Sequence, residues 1–174
     1  MRERVEVFDT SALWTVPNRV FAARLTLVAG GGGGARNEHE YGIAAYGGSG
    51  AYIVDLPISL TPGEVVDIQV GDAGISNSES PGFSNINVSG VDGSNSSVTT
   101  QAKTFTVFGG KAGRVRMSTS PKVGIDGDGG EPNGIDGESG KKIVTPVHRY
   151  GFGGSPSVQP GAGVAILSWL EEAS

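Results

Sequence analysis

Residues 30–34 are five consecutive glycines at the end of a stretch that alternates like a β-strand. In RVFAARLTLVA (19–29), Phe21, Ala23, Leu25 and Leu27 share one face and Arg24 and Thr26 share the other. Glycine loses more backbone freedom on ordering than any other residue. A folded chain therefore tolerates such a run only as a disordered linker, or where backbones pass too closely for a Cβ. The 30 glycines and 9 prolines of this 174-residue chain fall just below the level, about 25–30%, at which unpatterned Gly/Pro content signals disorder. Pattern therefore decides between the two.

The pattern elsewhere is that of many short strands. RVEVF (4–8), AYIVDLPISL (51–60), GEVVDIQVG (63–71), KTFTVFG (103–109), GRVRMS (113–118), KKIVTPVHRY (141–150) and GVAILSW (163–169) all read as strands. Val66, Ile68 and Val70 share a face, and Pro57 confines its strand to an edge or a bend. The turn signals TPG (61–63), SPG (80–82) and QPG (159–161) punctuate them. No window reads as a helix, and the terminal LEEAS (170–174) is too short to nucleate one. The expected fold is all-β: a sandwich or barrel of short strands with long glycine-rich loops, in which polyglycine or polyproline-II-like segments are an option.

The 37% hydrophobic content is enough for one core. A single domain over 1–174 is expected. Its framework strands fall in 8–75 and 160–170, its variable, loop-rich part spans 76–159, and 1–7 form an N-terminal lead. The net charge of -5 and the scattered lysines and arginines argue against a nucleic-acid partner. With no cysteine there is no disulfide framework, thiol nucleophile or thiolate metal site. The N-terminus lacks an apolar signal core, and no run approaches the roughly 18 apolar residues of a membrane-spanning helix. Synthesis in the cytoplasm without membrane insertion is expected.

One segment differs in kind. GIDGDGGEPNGIDGESG (124–140) holds two copies of G-x-x-G-x-x-G, with glycine at 124, 127 and 130 and again at 134, 137 and 140. A three-residue glycine period matches the three-residue turn of a polyproline-II-type helix with one bare face. Two consecutive Gly/Asp turn loops explain it equally simply, and from sequence alone the turn reading is preferred.

LWTVP (13–17), RVFAARLTLVAGGGGG (19–34), GGSGAYIVDLPISLTPGEVVDIQVGDAG (47–74) and GAGVAILSW (161–169) together resemble the glycine-rich domain at the distal ends of bacteriophage tail fibres. The resemblance covers roughly 8–75 and 160–169. It departs at Asp72-Ala73-Gly74, where the family's usual glycine pair is reduced to one. It implies a homotrimeric, receptor-binding tip in the phage virion. The tip would be mounted on other tail proteins and would touch a glycan or outer-membrane protein of the bacterial surface. On this reading Gly30–Gly34 is ordered and Ala35-Arg36-Asn37 launches a presented loop. Recognition is then expected in the loops around 35–46, 72–82, 124–140 and 148–156.

The candidate residues follow. His39 lies between Glu38 and Glu40, and a histidine beside carboxylates can ligate a metal or act as a base. That would require convergence with His148, the other histidine, and a charged polar loop is the simpler reading. Asp126, Asp128 and Glu131, followed by Asp136 and Glu138, resemble the start of a calcium loop without its closing glutamate. They are weak metal candidates, and no cofactor is expected. No serine elbow, zinc-binding helix or phosphate-binding loop is present in the sequence, and turn acids lack the burial that tunes a catalytic carboxylate. The chain is therefore expected not to be an enzyme. Tyr52, Trp14 and Trp169 fall in strand contexts and are expected to pack inward. Aromatics on rigid loops stack on sugars and anchor interfaces. The expected receptor contacts are Arg36, Glu38, His39, Tyr41, Tyr46, Tyr150 and Phe152. A structural adaptor of the fibre or baseplate is the alternative, and a glycan depolymerase is a remoter one.

Overall fold

The computed structural model describes residues 1–38, 42–79, 86–118, 121–138, 141, 143–147 and 149–171. Their strands are β1 (Arg2–Phe8), β2 (Ala12–Thr15), β3 (Ala22–Val28), β4 (Ala35–Asn37), β5 (Ile43–Ala45), β6 (Tyr52–Ser59) and β7 (Val65–Gln69). The series continues with β8 (Asn77–Glu79), β9 (Val88–Ser89), β10 (Ser96–Thr99), β11 (Thr104–Val107), β12 (Arg114–Arg116), β13 (Val123–Ile125) and β14 (Val164–Glu171). The described residues contain no helix. The all-β expectation holds as a sandwich, and no barrel closes.

Two four-stranded sheets, β1-β14-β3-β6 and β11-β10-β7-β2, face each other. Alternation supplies their common core: Ala23, Leu25 and Leu27 from β3, Leu167 and Trp169 from β14, and Trp14, Val66, Ile68, Val98 and Val107 from the facing sheet. The expected core tryptophans meet here, with ring centroids 5.4 Å apart. Pro57 lies on β6, an edge strand as its missing N–H requires. There the ladder with β3 shifts register opposite Leu25 and Leu27, and Asp55 takes a φ of 56°. Phe21, expected on the core face, precedes β3 and is 67% exposed. The alternation begins only where pairing with β6 begins, at Ala22.

A second, smaller sandwich is made by β13-β12-β9 and β5-β4-β8, around Ala35, Ala45, Val88, Val115 and Met117. The two sandwiches are joined by extended segments without strand pairing. Residues 29–34 run from β3 to β4, 46–51 from β5 to β6, 70–76 from β7 to β8, 90–95 from β9 to β10, and 108–113 from β11 to β12. The sheets are thus two layers at the ends of a bundle of rods.

The bundle explains the glycines. Ala29 and Gly32 donate their N–H groups to Ala51 and Gly48, Gly30 and Gly33 to Ser94 and Val91, and Gly31 to Gly161. Bonds to one neighbour recur every third residue, the period of a polyproline-II-type helix. The carbonyls are equally occupied: Gly30 and Gly33 accept from Gly110 and Gly113, Gly31 and Gly34 from Gly74 and Asn77, and Gly32 from Gly154. Neighbouring backbone therefore surrounds rod 29–34 on every side, and a Cβ at any of its five glycines would fall within 3.0 Å of backbone atoms of another segment. Rods at the rim touch the bundle on fewer faces and need glycine less often. In 90–95, Gly90 and Gly93 face Gly33 and Gly30, while Val91, Asp92, Ser94 and Asn95 carry side chains. In rod 70–76 a Cβ at Gly71 or Gly74 would meet neighbouring backbone, while Asp72 and Ala73, the departure from the family pattern, carry side chains that are exposed and half-buried.

The turn reading of 124–140 is corrected by the same bonds. Gly127 and Gly130 donate to Tyr46 and Ser49, again three residues apart, and Gly137 donates to Gly127. Glu131-Pro132-Asn133 makes the one turn among the described residues of this segment. Four further expectations change. Ala35–Asn37, expected to launch a loop, is itself strand β4, paired with β5 and β8, with Ala35 and Asn37 buried. Residues 72–76, expected as loop, form a rod. No strand forms among the described residues of 141–150, where Ile143 and Thr145 are nevertheless buried. The N-terminal lead is itself strand β1, paired with β14 along its whole length.

Side chains close the gaps where rods meet strands. Buried Ser96 accepts from the Gly71 N–H at 2.8 Å and donates to the Val28 carbonyl at 2.7 Å. Ser96→Ala leaves both groups buried and unpaired, and we expect a loss of about 1–3 kcal/mol, measured by urea denaturation.

Candidate functional site

The small sandwich and the rod ends beneath it hold a polar cavity of about 360 Å³. Arg36 of β4, Gly42, Ala44 of β5, Tyr46 at the head of rod 46–51, and the turn Ser155-Pro156-Ser157 line it. Ser155 and Val158 close that turn by exchanging backbone hydrogen bonds of 3.0 and 3.2 Å. Arg36 is half-buried, and its Nε is buried without a hydrogen-bond partner. Among the described residues no carboxylate pairs with Arg36. Tyr46 is half-buried, and its N–H is held by the Asp126 carboxylate at 2.7 Å.

Arg36 and Tyr46 are thus two expected contact residues that the fold brings together. Glu38 is exposed at the end of β4 and accepts a 2.7 Å hydrogen bond from the Ser78 hydroxyl. His39 and Tyr41 lie outside the described residues, as do Glu40 and His148, so the proposed convergence of histidines lies outside them too. Tyr150 is half-buried in a turn whose ends are tied by its N–H to the Val147 carbonyl and by the Thr145 hydroxyl to its own carbonyl. Phe152 is half-buried, and its ring packs where a side chain at Gly161 would stand. Tyr52, expected to face inward, is half-buried at the start of β6. The serines of the 155–157 turn were not singled out in the sequence, because nothing local distinguishes SPS from any surface turn.

Two carboxylates of the acidic array hold backbone N–H groups. Asp126 accepts from Tyr46 and Asp136 from the Gly129 N–H at 2.7 Å. The Asp128 and Glu131 carbonyls accept from Lys111 and Phe108, and Glu138 pairs with Lys141. Among the described residues no three acids or histidines gather as a metal site.

Asp92 is the carboxylate whose titration the fold visibly shifts. Partial burial acts to raise its pKa. The hydrogen bond from the Ala112 N–H, the bond from the Lys111 ammonium, and the charges of Lys111 and Arg114 outweigh burial and hold it below its ordinary value. A depressed folded pKa stabilises above the unfolded value, about 3.9, and that contribution disappears as pH falls through the folded pKa. The side chain is 37% exposed, so solvent screening limits the effect to under about 1 kcal/mol. In acid titrations of stability, Asp92→Asn should keep most of its stability at neutral pH and lose less than the parent below about pH 4.

At the opposite end, the large sandwich carries a groove of about 600 Å³. Phe21, Ala22, Pro57, Trp169 and Leu170 form its apolar wall, with Glu3, Arg19 and Arg24 among its other lining residues.

No curated protein matches the chain. A family model described as a glycine-rich domain matches residues 7–168. That match runs through 76–159, beyond the stretches on which the sequence resemblance rests. It also spans all the rods, whose close backbone approach is what the glycines permit. The chain belongs to the glycine-rich domain family.

Proposed function

We propose that this chain is the receptor-binding tip of a phage tail fibre or baseplate appendage and acts by adhesion rather than catalysis. One observation carries the reading. The large sandwich holds β1 and β14, the rods run from it to the small sandwich, and the ends of β4, β8 and β12 and the starts of β5, β9 and β13 all belong to that far sandwich. Recognition surfaces are commonly loops on a rigid scaffold, and a bundle hydrogen-bonded through most of its backbone is such a scaffold. The proposed ligand is a glycan or outer-membrane protein of the bacterial surface, and the proposed setting is the virion. A homotrimer on several fibres would turn modest single-site affinity into avidity.

The second reading, a structural adaptor of the fibre or baseplate, is favoured by the groove on the large sandwich, where Phe21 and Leu170 are 67% and 64% exposed. An apolar surface of this kind suits attachment to another tail protein. Fluorescently labelled protein mixed with a panel of bacterial strains separates the two. Saturable staining restricted to some strains, unchanged by chelator, is expected for the tip. Absence of staining on every strain that the phage infects would leave the adaptor.

A further inference from the structure

We infer that the cavity around Arg36 binds one acidic sugar unit of a surface polysaccharide, its carboxylate seated on the Arg36 guanidinium. The inference rests on the adhesion reading and names the ligand class of one site within it.

Four observations converge. First, Arg36 presents five donors in a planar fork that matches a carboxylate or phosphate, yet its buried Nε is unpartnered and no described acid pairs with it. Two described acids near it have other partners: Glu38 accepts from Ser78, and Asp126 holds the Tyr46 N–H. A guanidinium that no described acid compensates, in a chain of net charge -5, offers its terminal Nη groups to an anion. Second, the cavity's 360 Å³ sits at the small end of the range for small-molecule sites, about 300–1,000 Å³, which suits a single sugar rather than a peptide segment. Third, the other lining groups match the rest of a sugar. Ser155 and Ser157 offer hydroxyls to a polyol, and half-buried Tyr46 offers an aromatic edge and a phenol. Fourth, Gly42 leaves the guanidinium uncovered. A Cβ there would stand 3.7 Å from Arg36 Nη2, and the glycine's φ of +55° disfavours any side chain.

Apart from Gly42, which precedes β5, these residues come from β4, β5, a rod and a hydrogen-bonded turn. The site is therefore pre-formed, and binding needs little ordering.

The test is ligand-observed NMR of the full chain with glucuronic acid, its neutral methyl ester, glucose 6-phosphate and inorganic phosphate. Glucuronic acid is expected to bind at least tenfold more tightly than its ester. Arg36→Gln should abolish that preference, and Arg36→Lys should retain charge but lose most of the affinity. The thermal midpoint of both variants is read alongside, and Ser157→Ala provides a change outside the strand. Equal binding of acid and ester, or unchanged binding in a folded Arg36→Gln protein, would overturn the inference. Tighter binding of glucose 6-phosphate would reassign the anion to a phosphorylated sugar and overturn the carboxylate. Binding of inorganic phosphate alone would overturn the saccharide. Staining of bacteria by the same variants keeps the two proposals apart. Sugar binding without staining of any strain defeats adhesion but not the site, whereas strain-specific staining that Arg36→Gln leaves intact, with no sugar bound, defeats the site alone.

Discussion

Gly32→Ala is expected to prevent stable folding of the whole chain. The added Cβ would lie within 3.0 Å of the Lys111 carbonyl and of the Gly110 oxygen. Both are backbone atoms of rod 108–113, which is itself held to rod 29–34 by the Gly110 and Gly113 N–H groups. No rotamer change relieves such a clash, so the rods must separate. Separation breaks the bonds from Gly110 to Gly30 and from Gly113 to Gly33, and it pushes rod 29–34 against the segments that hold Gly32 through Gly48 and Gly154. Point changes costing more than about 4–5 kcal/mol are exceptional and need a named mechanism, which here is overpacking against immobile backbone with loss of buried hydrogen bonds. A native chain has about 5–15 kcal/mol in total, so most or all of its stability is removed. Gly63→Ala is the control. Gly63 has a φ of +81° but nothing within 4 Å of its Cβ position, and backbone strain alone should cost about 1–3 kcal/mol. Denaturation followed by circular dichroism and tryptophan fluorescence reads both. Similar losses in the two variants would mean that the rods are not packed as described.

The same rod shows what the sequence could convey. Alternation marks a strand because side chains project to two faces with period two. That made β3, β6, β7 and β14 visible in advance, with Ala23, Leu25, Leu27, Val66 and Ile68 on inward faces, and Pro57 pointed to an edge or a bend. The rods left a different trace, a three-residue glycine period or an unbroken run. The trace states how many faces are covered, but not by which segments. Rod 29–34 needs five consecutive glycines because it is enclosed, whereas 90–95 needs only Gly90 and Gly93. The repeat at 124–140 was ambiguous because Asp-Gly serves a turn and a rod equally well. The contacts that decide it, Gly127 to Tyr46 and Gly130 to Ser49, lie about eighty residues away in the chain. The cavity was half legible for the same reason. Arg36 and Tyr46 drew notice as charged and aromatic residues beside glycines, but the turn at 155–157 reaches them only because Gly154 bonds to Gly32 and Gly47 to Gly154.

Trp169→Ala should cost about 3–5 kcal/mol, the usual range for emptying a large aromatic site, whereas Trp169→Phe should cost far less. The residue is 7% exposed and lies in the core of the large sandwich with its ring 5.4 Å from that of Trp14, tilted by 48°. Its indole Nε1 is buried and finds no partner among the described residues. Truncation to alanine loses the ring's burial and its contact with Trp14, and the strands on either side cannot collapse into the space because β14 is pinned between β1 and β3. Phenylalanine keeps most of the apolar volume and removes an unsatisfied donor, whose burial is itself unfavourable by about 1–3 kcal/mol. The two terms oppose each other, so the net cost of Trp169→Phe should be under about 1.5 kcal/mol. A cycle with Trp14→Phe isolates the ring pair, expected at about 0.5–1.5 kcal/mol. If Trp169→Phe proved as damaging as Trp169→Ala, the Nε1–H would have to be making a stabilising bond, and the packing described for this end of the sandwich would be wrong. The variant also probes the groove that Trp169 helps to line. Because the phenylalanine ring is smaller, its wall recedes, and the proposed attachment of this end to another tail protein should weaken while the proposed binding of an acidic sugar at Arg36, on the far side of the rods, stays unchanged.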